Sequence, residues 1–201
     1  MAKAEGKDAD WFTILDEELE KKMLEITDNA VEQNTQRSSI NKSMLEDFFR
    51  IWTRFNKINV HFSLSPENSS FAQFVVYPED WSFKPDFDFM GVDNISLTDR
   101  TQGRVGDSVK VWYYSVETTV HLRMVFEYCE GEHYYKYAGW KRIFSQYVLL
   151  DVPVAKFDLK KYHEVLADTI RAWYESHLRR DRDIILKHLR EKHEKGETFT
   201  Q

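Results

Sequence analysis

The sequence predicts an α+β protein: two N-terminal helices, an antiparallel meander of about five to seven strands, and a long C-terminal helix packed on one face of the curved sheet. Apolar residues at both ends of the chain recur every three or four positions, as in amphipathic helices. In the middle they alternate with polar ones, as in half-buried strands. No helical segment separates the middle strands, which favours antiparallel pairing over a parallel crossover. The length of 201 residues fits one compact domain with terminal extensions.

The first predicted helix runs from Asp10, a suitable N-cap, to about Asp28. Acidic residues dominate its early turns, where the helix dipole favours them. The following residues, 29–39, are polar and nonperiodic, which predicts a loop. A capping-box pattern at Ser43 and Glu46 introduces a second helix over about 41–56. The apolar stripe of the first helix consists of Trp11, Ile14, Leu15, Leu19, Met23 and Ile26.

The strands are predicted from alternation and from β-prone composition. Residues 58–64 alternate strictly, and 71–77 follow after a turn, so these two segments are expected to form a hairpin. Segments 110–114, 116–128, 133–140 and 143–152 are dense in Val, Tyr, Phe and Trp. Turn residues at Glu130-Gly131 and Ala138-Gly139 separate them. The alternation gives the predicted sheet one solvent-exposed face and one apolar face, which favours antiparallel pairing.

After Pro153 the period becomes helical again, with Asp158 as the expected N-cap. An unbroken helix from there to Lys195 would be about 57 Å long, which exceeds the width of a domain of this size. The predicted organisation is therefore a disordered N-terminus (1–9), a single α+β domain (10–178), a charged extension of the C-terminal helix (179–195) and a disordered tail (196–201).

Composition and charge exclude several classes of protein. The chain is 42% hydrophobic and 31% charged, which is ordinary for a globular protein, and its longest apolar runs are far too short to span a membrane. A net charge of -6 makes nucleic acid an unfavoured partner. The single cysteine, Cys129, and an opening segment without an apolar signal core fit a cytoplasmic location.

The sequence predicts no catalytic residue, metal site or cofactor. Cys129 and His133 flank Glu130-Gly131-Glu132, so a tight hairpin there would bring a thiol near an imidazole. No recognisable third residue orients that pair. The histidines of the last helix lack the spacing that places two metal ligands on one helical face.

Aromatic residues give the best candidates for ligand contact. A loop over 77–90 is rich in large rings, which either seal the core or form a contact surface. A cavity between the sheet and the C-terminal helix would be walled by Trp81, Trp112, Tyr114 and Trp173. A further strip interleaves basic and aromatic side chains: Lys136, Tyr137, Trp140, Lys141 and Arg142. This pattern is typical either of surfaces that bind single-stranded nucleic acid or of a solvated strand edge.

Two function hypotheses follow. The first is a noncatalytic binding or protein-interaction module that forms a homo-oligomer, through the exposed end of the last helix. It is motivated by the long C-terminal stripe and by opposite charges at the two ends, with residues 1–30 at net -5 and 179–195 at net +3. The alternative is a pocket protein or enzyme for a small apolar or aromatic ligand, held between the sheet and the C-terminal helix.

Overall fold

The computed structural model describes residues 11–58, 60, 62–68, 92–101 and 106–201. The helices are α1 (Trp11–Asn56), α2 (Leu159–Arg179) and α3 (Asp183–Lys192). The strands are β1 (Phe62–Asn68), β2 (Val92–Asp99), β3 (Ser108–Val116), β4 (Thr119–Tyr135), β5 (Gly139–Pro153) and β6 (Glu194–Thr200). This architecture confirms the predicted α+β class. None of the described helices has the length and apolar content needed to cross a bilayer.

The six strands form one open sheet in chain order, and each is antiparallel to its neighbour. The predicted antiparallel meander is therefore confirmed. β1 pairs with β2, with Leu64 opposite Leu97, although β2 was not predicted. The predicted partner of β1, residues 71–77, lies outside the described residues.

Two predicted strands, 116–128 and 133–140, are largely one. β4 continues through Glu130-Gly131, where the expected turn is a bulge in its pairing with β5. The chain reverses at Ala138-Gly139 instead, as predicted there, and Gly139 supplies the positive φ of +73° that this turn requires. β4 and β5 together form a long ribbon that ends at this turn.

The two predicted N-terminal helices are a single 46-residue helix, so the prediction of a loop at 29–39 is wrong. This segment contains neither Gly nor Pro, and its polar side chains find tertiary partners. Gln33 bonds the turn between β3 and β4, and Arg37 donates to the carbonyl oxygen of Val92 at 2.8 Å. Polarity therefore reflects contacts made by the helix and does not mark its end.

The C-terminal helix is divided at Arg180, within the charged cluster where the sequence left its continuity open. Asp158 caps α2 as predicted, accepting hydrogen bonds from the backbone N–H groups of Lys160 and Lys161. Arg180 then adopts a left-handed conformation with φ +53°, and α3 folds back so that Ile185 and Leu189 are buried. The segment 179–195, predicted as an extension of the C-terminal helix, therefore contains the separate helix α3.

The last residues form β6 along the free edge of β5, so the tail predicted to be disordered over 196–201 is also wrong. Helix α1 and helix α2 pack on the same side of the sheet. There they bury Leu122, Met124 and Phe126 of β4, together with Leu166 and Trp173 of α2, each no more than 4% exposed. The predicted covering of the sheet by the C-terminal helix is present.

Candidate functional site

A buried carboxylate joins the helical layer to the sheet. Asp107, just before β3, accepts three hydrogen bonds: from the backbone N–H of Cys129 at 2.8 Å, the guanidinium of Arg182 at 3.1 Å and the indole N–H of Trp173 at 3.2 Å. Arg182 also donates to the carbonyl oxygen of Cys129 at 2.7 Å and lies 4.5 Å over the ring of Tyr128. The break between α2 and α3 is thereby attached to β3 and β4.

The electrostatics of this pair follow from the burial of one partner. Burial raises the pKa of Asp107, and the adjacent charge of Arg182 opposes that rise. Burial acts to lower the pKa of Arg182, but the Asp107 carboxylate and the hydroxyl of Tyr128 outweigh it, so the net direction is upward. All three groups bonded to Asp107 are donors, which matches an ionised carboxylate.

Two solvent-open clefts flank the pair. One, of about 480 Å³, is bounded by the bulge of β4 and includes Cys129, Glu130 and Arg142. The other, of about 540 Å³, lies beside α2 and includes Trp173 and His177. Asp99, Asp107 and Arg182 line both. Their walls are mainly charged and polar, unlike the apolar cavity of the alternative function hypothesis.

The predicted proximity of Cys129 and His133 is absent. Both residues lie on β4, four positions apart, because the chain does not turn at Glu130-Gly131. That separation corresponds to about 13 Å along a strand. The Cys129 thiol is buried, and burial raises its pKa, whereas a nucleophilic cysteine needs a lowered one. No group of three metal-ligating side chains occurs in the part of the chain that the structure describes.

The four predicted wall residues are not brought together. Trp112 and Tyr114 alternate with Val111 and Tyr113, and it is Val111 and Tyr113 that face the helices. Tyr114 donates to Asp151 at 2.7 Å on the opposite face of the sheet. Trp173 packs against other rings on the helical side, 5.7 Å from Phe55 and 5.0 Å from Phe62. Trp81 lies outside the described residues.

A large unpartnered surface occurs instead on the N-terminal half of α1, where every side chain from 13 to 32 is exposed. Met23 is 71% exposed and Ile26 is 64% exposed. Spacings of four, four, three and four place one set on a single helical face, which we call the α1 stripe: Leu15, Leu19, Met23, Ile26 and Ala30. The same face continues into Ile40 and Met44, which pack on the sheet.

A second exposed surface is the end of the β4–β5 ribbon, residues 133–142, which we call the hairpin tip. Tyr134 and Trp140 are cross-strand partners whose ring centroids are 5.5 Å apart, and they are 56% and 69% exposed. Tyr137, at the turn, is 93% exposed, and the ammonium of Lys136 lies 5.5 Å over its ring. The strip of bases and rings predicted from the sequence is thus gathered at this tip.

The Asp107–Arg182 pair was missed by sequence reasoning, because 75 residues separate its members and no motif links them. The fold places the chain among α+β proteins with a single open antiparallel sheet and helices on one face. Comparison of the chain with known protein families, curated proteins and solved structures finds no match.

Proposed function

We propose that this protein is a noncatalytic interaction module that self-associates, and that the α1 stripe is the surface through which it does so. The observation that supports the proposal is the exposure of this stripe on a helix that extends beyond the sheet. The 20 residues from 13 to 32 measure about 30 Å along the helix axis. An isolated helix of this length is only marginally stable in water, so it gains stability by burying its apolar face.

The location differs from the one expected from the sequence. Ile185 and Leu189 of α3 are buried within the same molecule and are unsuited to contact another copy. The α1 stripe provides an apolar face of the same kind but without a partner among the described residues. Exposed apolar surface of this extent is typical of protein interaction sites.

Sedimentation at tens of micromolar protein in physiological salt tests the proposal. The wild type is expected to sediment as an oligomer, and Leu19→Gln/Met23→Gln/Ile26→Gln as a monomer whose sheet stays folded. The matched control is Leu24→Gln/Val31→Gln, since both residues are exposed on α1 but lie away from the stripe. A monomeric wild type, or a stripe variant that associates as well as the control, would contradict the proposal.

The alternative, a pocket for a small apolar compound, has weaker support. The rings of Trp173, Phe55 and Phe62 pack on one another in the space between sheet and α2. The two clefts beside Asp107 and Arg182 have polar walls and favour a polar ligand over an apolar one. We therefore propose the interaction module as the function.

A further inference from the structure

The hairpin tip has the chemistry to receive the α1 stripe. It offers the rings of Tyr134, Trp140 and Tyr137 as an apolar surface, and exposed aromatic side chains of this kind are common anchors of protein interfaces. Residues 133–142 contain Lys136, Lys141 and Arg142 and no acidic residue, but Arg142 is paired with Glu132 at 3.0 Å, so the two lysines give the tip a net charge of +2 when histidine is neutral.

The N-terminal half of α1 is the complement of this surface. Residues 13–32 contain seven acidic residues and two lysines, a net charge of -5, beside the aliphatic stripe. Contact between a positive and a negative surface speeds association and disfavours wrong pairings. Direct pairing of two α1 stripes would instead bring two segments of net charge -5 together, which is electrostatically unfavourable.

The two surfaces lie at opposite ends of the molecule. Gln33 fixes α1 to the turn between β3 and β4, and the stripe continues outward from that end. The hairpin tip lies at the other end of β4, whose 17 residues span about 56 Å. The tip of one molecule is therefore out of reach of its own stripe.

From these relationships we infer that the hairpin tip of one copy binds the α1 stripe of a second copy, giving head-to-tail assembly. This inference rests on the proposed self-association and specifies its second surface. Because the two surfaces differ, an open assembly keeps a free α1 stripe on the copy at one end and a free hairpin tip on the copy at the other end. Such contacts form closed rings when the geometry allows closure and open fibres when it does not.

A complementation experiment tests the inference. Stripe variant Leu19→Gln/Met23→Gln/Ile26→Gln and tip variant Tyr134→Thr/Trp140→Thr are each expected to be monomeric at tens of micromolar. Mixed in equal amounts, they are expected to form a 1:1 dimer and nothing larger, because the mixture contains one intact surface of each kind. Leu178→Gln, which changes an exposed apolar residue of α2, is the control and is expected to assemble as the wild type does.

The outcomes separate the two proposals. A tip variant that assembles as well as the wild type, while the stripe variant is monomeric, would overturn the head-to-tail inference and leave self-association through α1 intact. A monomeric wild type would overturn both. If the tip variant assembles normally but loses binding of a labelled 20-nucleotide oligothymidylate that the wild type binds, the tip is a single-strand nucleic-acid surface and the inference is wrong.

Discussion

Nη2 of Arg182 lies 3.1 Å from Oδ1 of Asp107, and this contact holds the break between α2 and α3 against the beginning of β3. Removal of the guanidinium leaves a buried carboxylate without its charged donor. We expect Arg182→Ala to lower the free energy of unfolding by about 1.5–3 kcal/mol, the range for hydrogen bonds to charged groups. Urea denaturation followed by circular dichroism measures the change.

Arg179→Ala is the matched control for this substitution. Arg179 pairs with Glu175 within the exposed surface of α2, where such ion pairs contribute at most about 0.5 kcal/mol. Equal losses in the two variants would show that the Asp107 contact has no special weight.

The left-handed conformation of Arg180 provides a route to higher stability. A residue with a Cβ atom is strained at φ +53° and ψ +34°, and glycine is not. Arg180→Gly is expected to raise the free energy of unfolding by about 1 kcal/mol. Arg179→Gly, one position earlier and within the helix, should instead lower it by about 1 kcal/mol relative to alanine. Urea denaturation of both variants measures these changes. A lower free energy of unfolding for Arg180→Gly would contradict the prediction.

Acidification is expected to weaken the attachment of the C-terminal segment. Burial, the charge of His188 and that of Lys192 lower the pKa of His193 to about 4, while a hydrogen bond with the backbone of Val148 opposes this. Burial and Lys192 also lower the pKa of His188, opposed by Asp168 and Glu191. Both rings thus favour the neutral form in the folded state.

The sign of the pH effect follows from these lowered values. The unfolded chain binds more protons than the folded one between pH 6.5 and about 4, so stability is full above this window and falls as pH decreases through it. Urea denaturation at pH 7, 5.5 and 4.5 measures the fall. His193→Gln, which does not titrate, should make the dependence shallower; an unchanged profile would exclude His193 as its source.

Gln33 is expected to fix the direction of the exposed half of α1. Its Oε1 accepts from the backbone N–H of Val120 at 3.0 Å, and its Nε2 donates to the carbonyl oxygen of Thr118 at 3.4 Å. Gln33→Ala should increase amide hydrogen exchange in residues 13–32 while the exchange of β4 stays unchanged. Gln36→Ala is the control, because that side chain bonds Glu32 within the same helix. Equal exchange in the two variants would mean that the Gln33 contact does not restrain α1.

The sequence by itself determined the fold class, the antiparallel pairing, the turn at Gly139 and the cap at Asp158. Each of these depends on a local pattern: alternation, a residue suited to positive φ, or a side chain that bonds the backbone N–H groups two and three residues further on. The aromatic and basic strip of the hairpin tip was visible for the same reason, since its residues are near neighbours in the chain.

Only the tertiary structure decided the continuity of α1, the division of the C-terminal helix, and the course of β4 through Gly131. In each case a contact between distant residues outweighed the local signal. Gln33 bonds the β3–β4 turn, Arg182 bonds Asp107, and β5 pairs with β4 from His121 to Tyr135. The separation of Trp112 from Trp173 is likewise a property of the assembled sheet, because the two faces of a strand are set by register and not by residue type.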